Sequence, residues 1–219
     1  MTTRREFLQG ILTLTGLALN GAAFAKPLSI QSALSDEAGR MDFHTVVYEP
    51  GVTASAAFGA AVARHGLATH AIDGDITNLW ADELADLWRQ EPVAIAGMTT
   101  YPALFLLERF GWDHGLRVTF RAEHKADANG RIQHRLEGPG TLLSMFEASL
   151  LQQTQFSTCM AGLVAHCPAA PAVQSTTLLA TFTFPTTSEM PALYSWIIAP
   201  RVRQNAGSAS VHAFERISS

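Results

Sequence analysis

Between residues 43 and 112 three short β-type runs alternate with three helical patterns, and this alternation limits the fold more than any other feature. Residues 44–48 (HTVVY) are rich in β-branched and aromatic side chains and stop at Pro50-Gly51. Residues 53–65 are alanine-rich and close at Gly66, a good helix stop. A second run, 67–72, ends in Asp73-Gly74-Asp75, and residues 78–90 then place Leu79, Leu84, Leu87 and Trp88 at helical spacing. Residues 92–96 (PVAIA) form the short apolar run of a buried central strand, and a third helix is expected over 99–112. Strand–helix pairs packed this closely point to parallel strands joined by right-handed crossovers.

The second half reads differently. Residues 116–138 pattern as a β-hairpin, 141–153 as a helix, and 176–184 and 193–200 as two more strands. The expected fold is α/β: a mainly parallel sheet with crossover helices, its first half resembling the flavodoxin and Rossmann folds, extended by the antiparallel hairpin and the C-terminal strands. At 219 residues and 47% hydrophobic the chain suffices for one substantial core, so residues 43–219 are expected to form a single domain. A formal charge of -4 argues against nucleic acid as a partner.

Residues 1–25 carry a different kind of signal. Arg4 and Arg5 precede Phe7 and Leu8, an uncharged stretch runs from Gly10 to Ala25, and Ala23-Phe24-Ala25 forms a small-x-small cleavage site. The pattern resembles the twin-arginine export signal. That resemblance implies cleavage after Ala25, a periplasmic destination and the twin-arginine export machinery as a partner. It also implies a protein folded before export, with or without a partner enzyme. The apolar stretch is too short for a membrane span, so no permanent span is expected in the mature form. Residues 26–42 read as a mobile lead-in.

In an open parallel sheet, ligands bind beyond the carboxyl ends of the strands. Those ends hold Glu49 with Thr53 and Ser55, then Asp73 and Asp75, then Thr99, Thr100 and Tyr101. Thr99 or Thr100 is a plausible N-cap ahead of Pro102, and a helix start there would accept an anionic group of a small ligand. The first turn, Glu49-Pro50-Gly51-Val52-Thr53-Ala54, lacks the dinucleotide-binding glycines. The chain also contains no motif for NAD, haem or an iron–sulfur cluster.

The hairpin yields a sharper expectation. Val118, Phe120, Ala122 and His124 alternate on one face, as do Ile132, His134 and Leu136 on the return strand. A three-residue loop at 128–130 lets the two apolar rows share a face, pairs Asp127 with Arg131, and sets His124 directly across from His134. Two facing histidines are candidate ligands for a divalent metal, with His166, Cys167, Asp73 or Asp75 as a third. Cys159 and Cys167 are candidates for a disulfide, provided the chain turns between them, or for buried free thiols. The tryptophans and phenylalanines mostly fall at core-like spacing. The first functional expectation is an exported accessory or anionic-ligand-binding protein. Beside it stand a metal-assisted or acid–base enzyme using Asp73, Asp75, His124 and His134, and an accessory subunit of an exported redox complex.

Overall fold

The protein was studied as a computed structural model, which describes residues 39–127, 131–150, 155–169, 175–182 and 190–200. The export signal with Arg4, Arg5 and the cleavage point after Ala25, the lead-in up to residue 38, and the hairpin loop at 128–130 lie outside the described residues.

Among the described residues seven strands form one sheet in the order β2-β1-β3-β7-β4-β5-β6. The strands are β1 (Phe43–Tyr48), β2 (Thr69–Ala71), β3 (Ala94–Thr100), β4 (Leu116–Ala126), β5 (Ile132–Pro139), β6 (Ser175–Phe182) and β7 (Leu193–Pro200). Only β1 with β2 and β1 with β3 pair in parallel; the pairs β3–β7, β7–β4, β4–β5 and β5–β6 are antiparallel. The fold is α/β, but its sheet is mixed rather than mainly parallel. The crossover pattern holds for the first three strands and ends there, because β7 inserts antiparallel beside β3.

Six helices connect the described strands: α1 (Thr53–Arg64), α2 (Thr77–Leu79), α3 (Ala85–Gln90), α4 (Tyr101–Asp113), α5 (Gly140–Leu150) and α6 (Phe156–Ala165). A π-helical turn, Trp80–Leu84, joins α2 to α3. Helix α4 starts two residues later than the sequence pattern implies, since β3 runs on to Thr100, and Pro102 sits in its first turn. Gly66 and Gly115, with φ of 81° and 78°, end α1 and α4 in the left-handed region that glycine adopts without strain.

Two cores flank the sheet. On one face Phe58 and Val62 of α1, Leu142 and Phe146 of α5, and Met160 and Leu163 of α6 pack over Val46, Met98, Phe120 and Leu136. On the other, Leu79, Leu84, Trp88, Leu104 and Leu107 pack over Val47, Ile95, Trp196 and Ile198. Each fully buried aliphatic side chain contributes about 1.5–3 kcal/mol through water exclusion. In the hairpin the second face carries Lys125, Arg131, Gln133, Arg135 and Glu137, all exposed, which is the alternation of a sheet covered on one side. One expected row breaks. The β4–β7 register shifts between Val118 and Phe120, so Val118 turns to the core of α4 while Phe120, Ala122 and His124 keep the opposite face.

Candidate functional site

The chain leaves β1 toward β2 on one side and comes back to β3 on the other. The crevice between the carboxyl ends of β1 and β3 is therefore the switch point at which α/β sheets take ligands. Here the chain laces that crevice with its own groups. Glu49 is buried, and its Oε1 accepts the Thr100 backbone N–H at 2.8 Å and the Thr100 hydroxyl at 2.9 Å. Ser55 Oγ accepts the Glu49 backbone N–H at 2.8 Å and donates to the Met98 carbonyl, which ties α1 to both strands. Thr100 occupies the N-cap of α4, but its hydroxyl turns to Glu49 instead of capping the helix. Where an anionic ligand was expected, a carboxylate of the chain already lies at the α4 N-terminus.

The other strand-end residues scatter. Thr99 is buried and accepts the Trp196 indole N–H at 3.0 Å. Thr53 is exposed at the start of α1. Asp73 and Asp75 are exposed; Asp75 Oδ1 accepts the Thr77 hydroxyl at 2.6 Å and the Thr77 backbone N–H at 2.8 Å, which lowers its carboxyl below the ordinary aspartate range. Its role is to start the helical stretch after β2. Glu83, in the π-helical turn, bridges His70 and His44, with Oε1 3.1 Å from His70 Nδ1 and Oε2 3.6 Å from His44 Nε2. No spacing in the sequence announces that cluster, because its members come from two strands and a helix.

His124 and His134 face each other across the β4–β5 ladder in the register that the parity of the two apolar rows demands. Both are fully buried, and their Nδ1 atoms lie 2.6 Å apart, while His124 Nε2 lies 2.8 Å from Ser195 Oγ. One ring donates at Nδ1 and the other accepts, so the pair holds a shared proton between two neutral imidazoles. Phe156 and Phe146 pack against them, with ring centroids 4.8–5.8 Å away. Burial drives both imidazoles toward the neutral form, His134 down to about 4 and His124 well below its ordinary value.

This geometry does not fit a metal ion. Two nitrogens sharing one zinc ion stand about 3.3 Å apart, given bonds of about 2.0–2.1 Å and tetrahedral angles. His166 donates from Nδ1 to the Gly162 carbonyl and sets its ring against His65. Among the described residues no three His, Cys, Asp or Glu side chains are grouped to hold a metal. Cys159 and Cys167 are both free and buried. The helix between them does not turn back, and burial pushes the thiols up to about 11 and about 12.

What remains on the surface is helix α4. Its inner stripe, Ala103, Leu104, Leu107 and Gly111, packs on the sheet. Outside lie Tyr101, Phe105, Leu106 and Trp112, with 47, 39, 41 and 42% of their surface exposed, and these are all the exposed large apolar side chains among the described residues. Arg109 lies over Phe105 and Trp112, its guanidinium carbon 5.3 and 4.3 Å from the ring centroids, and Arg117 lies 5.8 Å from Trp112.

One flank of this face is polar. Tyr101 packs against Tyr194, whose hydroxyl donates to Glu123 at 2.8 Å, and the Arg121 guanidinium pairs with Glu108 at 2.7 Å. Lys125 and then Tyr194 hold the Glu123 carboxyl below the ordinary glutamate range, while burial and Glu123 raise the Tyr194 phenol to about 12. A groove of about 190 Å³, lined by Glu108, Thr119, Arg121 and Glu137, runs beside it. Comparison with protein-family models, with curated proteins and with solved structures finds no match for this chain. Phe105 and Trp112 are exceptions to the mostly core-like placement of the aromatic side chains, because inner and outer stripes of α4 are both apolar and periodicity cannot rank them.

Proposed function

We propose that this protein is an exported accessory protein, one that works by docking another protein on the outer face of α4. The observation that carries this reading is the concentration of all exposed large apolar groups among the described residues on one helix. Isolated exposed apolar residues are ordinary on a protein surface. A contiguous patch of three aromatic rings, a leucine and a stacked arginine has the composition of an interface hot spot. The Arg4-Arg5 pattern and the Ala25 cleavage point support export by the twin-arginine route to the periplasm. Among the described residues no helix is long and apolar enough to cross a membrane. An accessory role includes that of a subunit in an exported redox complex, with the cofactor held by the partner enzyme.

The ligand-binding and enzymatic alternatives draw less support. The strand-end crevice is filled by Glu49, and the histidine pair is sealed between strands and two phenylalanine rings. The test is a photo-crosslinking residue placed at Leu106, with a control at Glu147, an exposed position on α5. Crosslinks from position 106 and none from 147, in protein isolated from the host periplasm, are the expected result. Equal labelling at both positions, or none at 106, overturns the docking reading.

A further inference from the structure

We infer that the C-terminal ends of α1 and α6, with the segment that leads into β1, form a surface site for a divalent oxyanion, the phosphate or sulfate group of a small solute. Helices α1 and α6 cover the opposite side of the sheet from α4, so binding here is independent of docking there.

Three separate stretches of chain bring four basic side chains together. Arg64 is the last residue of α1 and His65 is its C-cap, while His166 is the C-cap of α6. The His65 and His166 rings meet edge to face with centroids 5.6 Å apart. Arg40 forms a β-bridge with Pro168, two residues beyond His166. Hydrogen bonds from the Met41 N–H to the Cys167 carbonyl at 2.8 Å, and from the Ala169 N–H to the Gly39 carbonyl at 2.7 Å, hold the two segments side by side. All four basic side chains are exposed.

The chain as a whole is acidic, with a formal charge of -4, yet among the described residues no carboxylate forms an ion pair with any of the four. Asp42, two residues from Arg40 and also exposed, is among those that do not. The two helix C-termini offset about half a charge each. Arg40 and Arg64 already exceed that, and protonated imidazoles add more. The field is felt at His65: partial burial, then His166, Arg64 and Arg40, hold its imidazole below the ordinary histidine range. A divalent oxyanion removes this repulsion, and guanidinium forks supply the paired N–H donors that its oxygens take. His166 Nδ1 is committed to the Gly162 carbonyl at 2.8 Å, which leaves Nε2 for the anion.

A bound anion favours the protonated imidazole, so binding raises the His65 midpoint and strengthens as pH falls through it. Sulfate is the probe, because its charge is constant across the histidine range of about pH 5–8. The ring signals of the intact protein are followed by proton NMR over that range, in sodium sulfate and in sodium chloride at equal ionic strength. Sulfate is expected to raise the His65 midpoint by at least about half a pH unit more than chloride does, which is about threefold tighter binding to the protonated form. Arg40→Ala/Arg64→Ala is expected to lose the sulfate response and, in chloride, to raise the His65 midpoint, since no guanidinium then opposes its proton. Displacement of sulfate by glycerol phosphate supports the inference. Equal shifts at His65 and at the exposed His44 mean ionic screening alone and overturn it, as does a sulfate response that survives in the double variant. Retention of the protein on phosphatidylglycerol vesicles without a sulfate shift at His65 also overturns it, and assigns the basic cluster to a lipid surface instead.

Discussion

Acid should destabilise this fold through one buried contact. His124 and His134 share a proton at 2.6 Å with no exposed surface, and burial lowers the His134 imidazole to about 4 from an ordinary 6.5. In the unfolded chain both rings take up a proton as pH falls through about 6.5; in the folded chain His134 stays neutral until about pH 4. Below 6.5 the unfolded state therefore binds more protons, and stability that is complete above pH 6.5 drains away toward pH 4. Lowering the imidazole from 6.5 to about 4 is worth about 3 kcal/mol, most of which is lost by pH 4.5. His124 is lowered for the same reason and by its neighbour, and adds to the loss. Urea unfolding at pH 7.0 and 4.5, in the wild type and in His124→Phe/His134→Phe, isolates the pair from the carboxylates that titrate in both proteins. The wild type is expected to lose at least about 2 kcal/mol more than the variant over this interval. Equal losses would refute the reasoning, and would mean the histidines open to water before they charge.

Three further outcomes follow from the geometry. Glu49→Gln removes the charge lodged at the α4 N-terminus, at a cost of about 1–2 kcal/mol in urea unfolding, and inorganic phosphate should raise the melting temperature of the variant more than that of the wild type. Gly97→Ala places a methyl carbon against the Trp196 ring and 2.8 Å from the Val47 carbonyl oxygen, so a loss of at least about 2 kcal/mol is expected by thermal unfolding. Cys159 and Cys167 are buried thiols raised to about 11 and about 12, and a disulfide-exchange reagent at pH 8 should label them only at the rate at which the protein unfolds.

Local pattern carried some of these features, and long-range pairing decided the others. The facing of His124 and His134 was legible because side chains in a strand alternate with period two, so the apolar rows of β4 and β5 admit only registers of one parity. The role of Asp75 was legible in principle, since Asp-Ile-Thr is a local helix-start pattern, yet the strand-end rule promoted it to a binding residue. Closure of the crevice by Glu49 was not legible, because Thr100 lies 51 residues away and meets it only once β1 and β3 pair. Nor was the mixed sheet. The run Ser195-Trp196-Ile197-Ile198-Ala199 announces a strand buried on both faces, but not which neighbours bury it. The bulge beside Thr119, which moves Val118 to the other core, leaves no trace in an alternating sequence.

The position of β7 has a consequence for how the molecule is made. This strand is the last described in the chain, yet it sits at the centre of the sheet, pairing with β3 on one side and β4 on the other. While the ribosome is still building the chain, the β2-β1-β3 unit and the β4-β5-β6 unit each wait with an open apolar edge. Neither edge is closed until residue 200 has cleared the exit tunnel. Contacts of such high sequence separation slow folding and lengthen the time that sticky edges are exposed. This last described strand thus acts as a completeness check: a chain truncated before Leu193 lacks the element that joins its two halves.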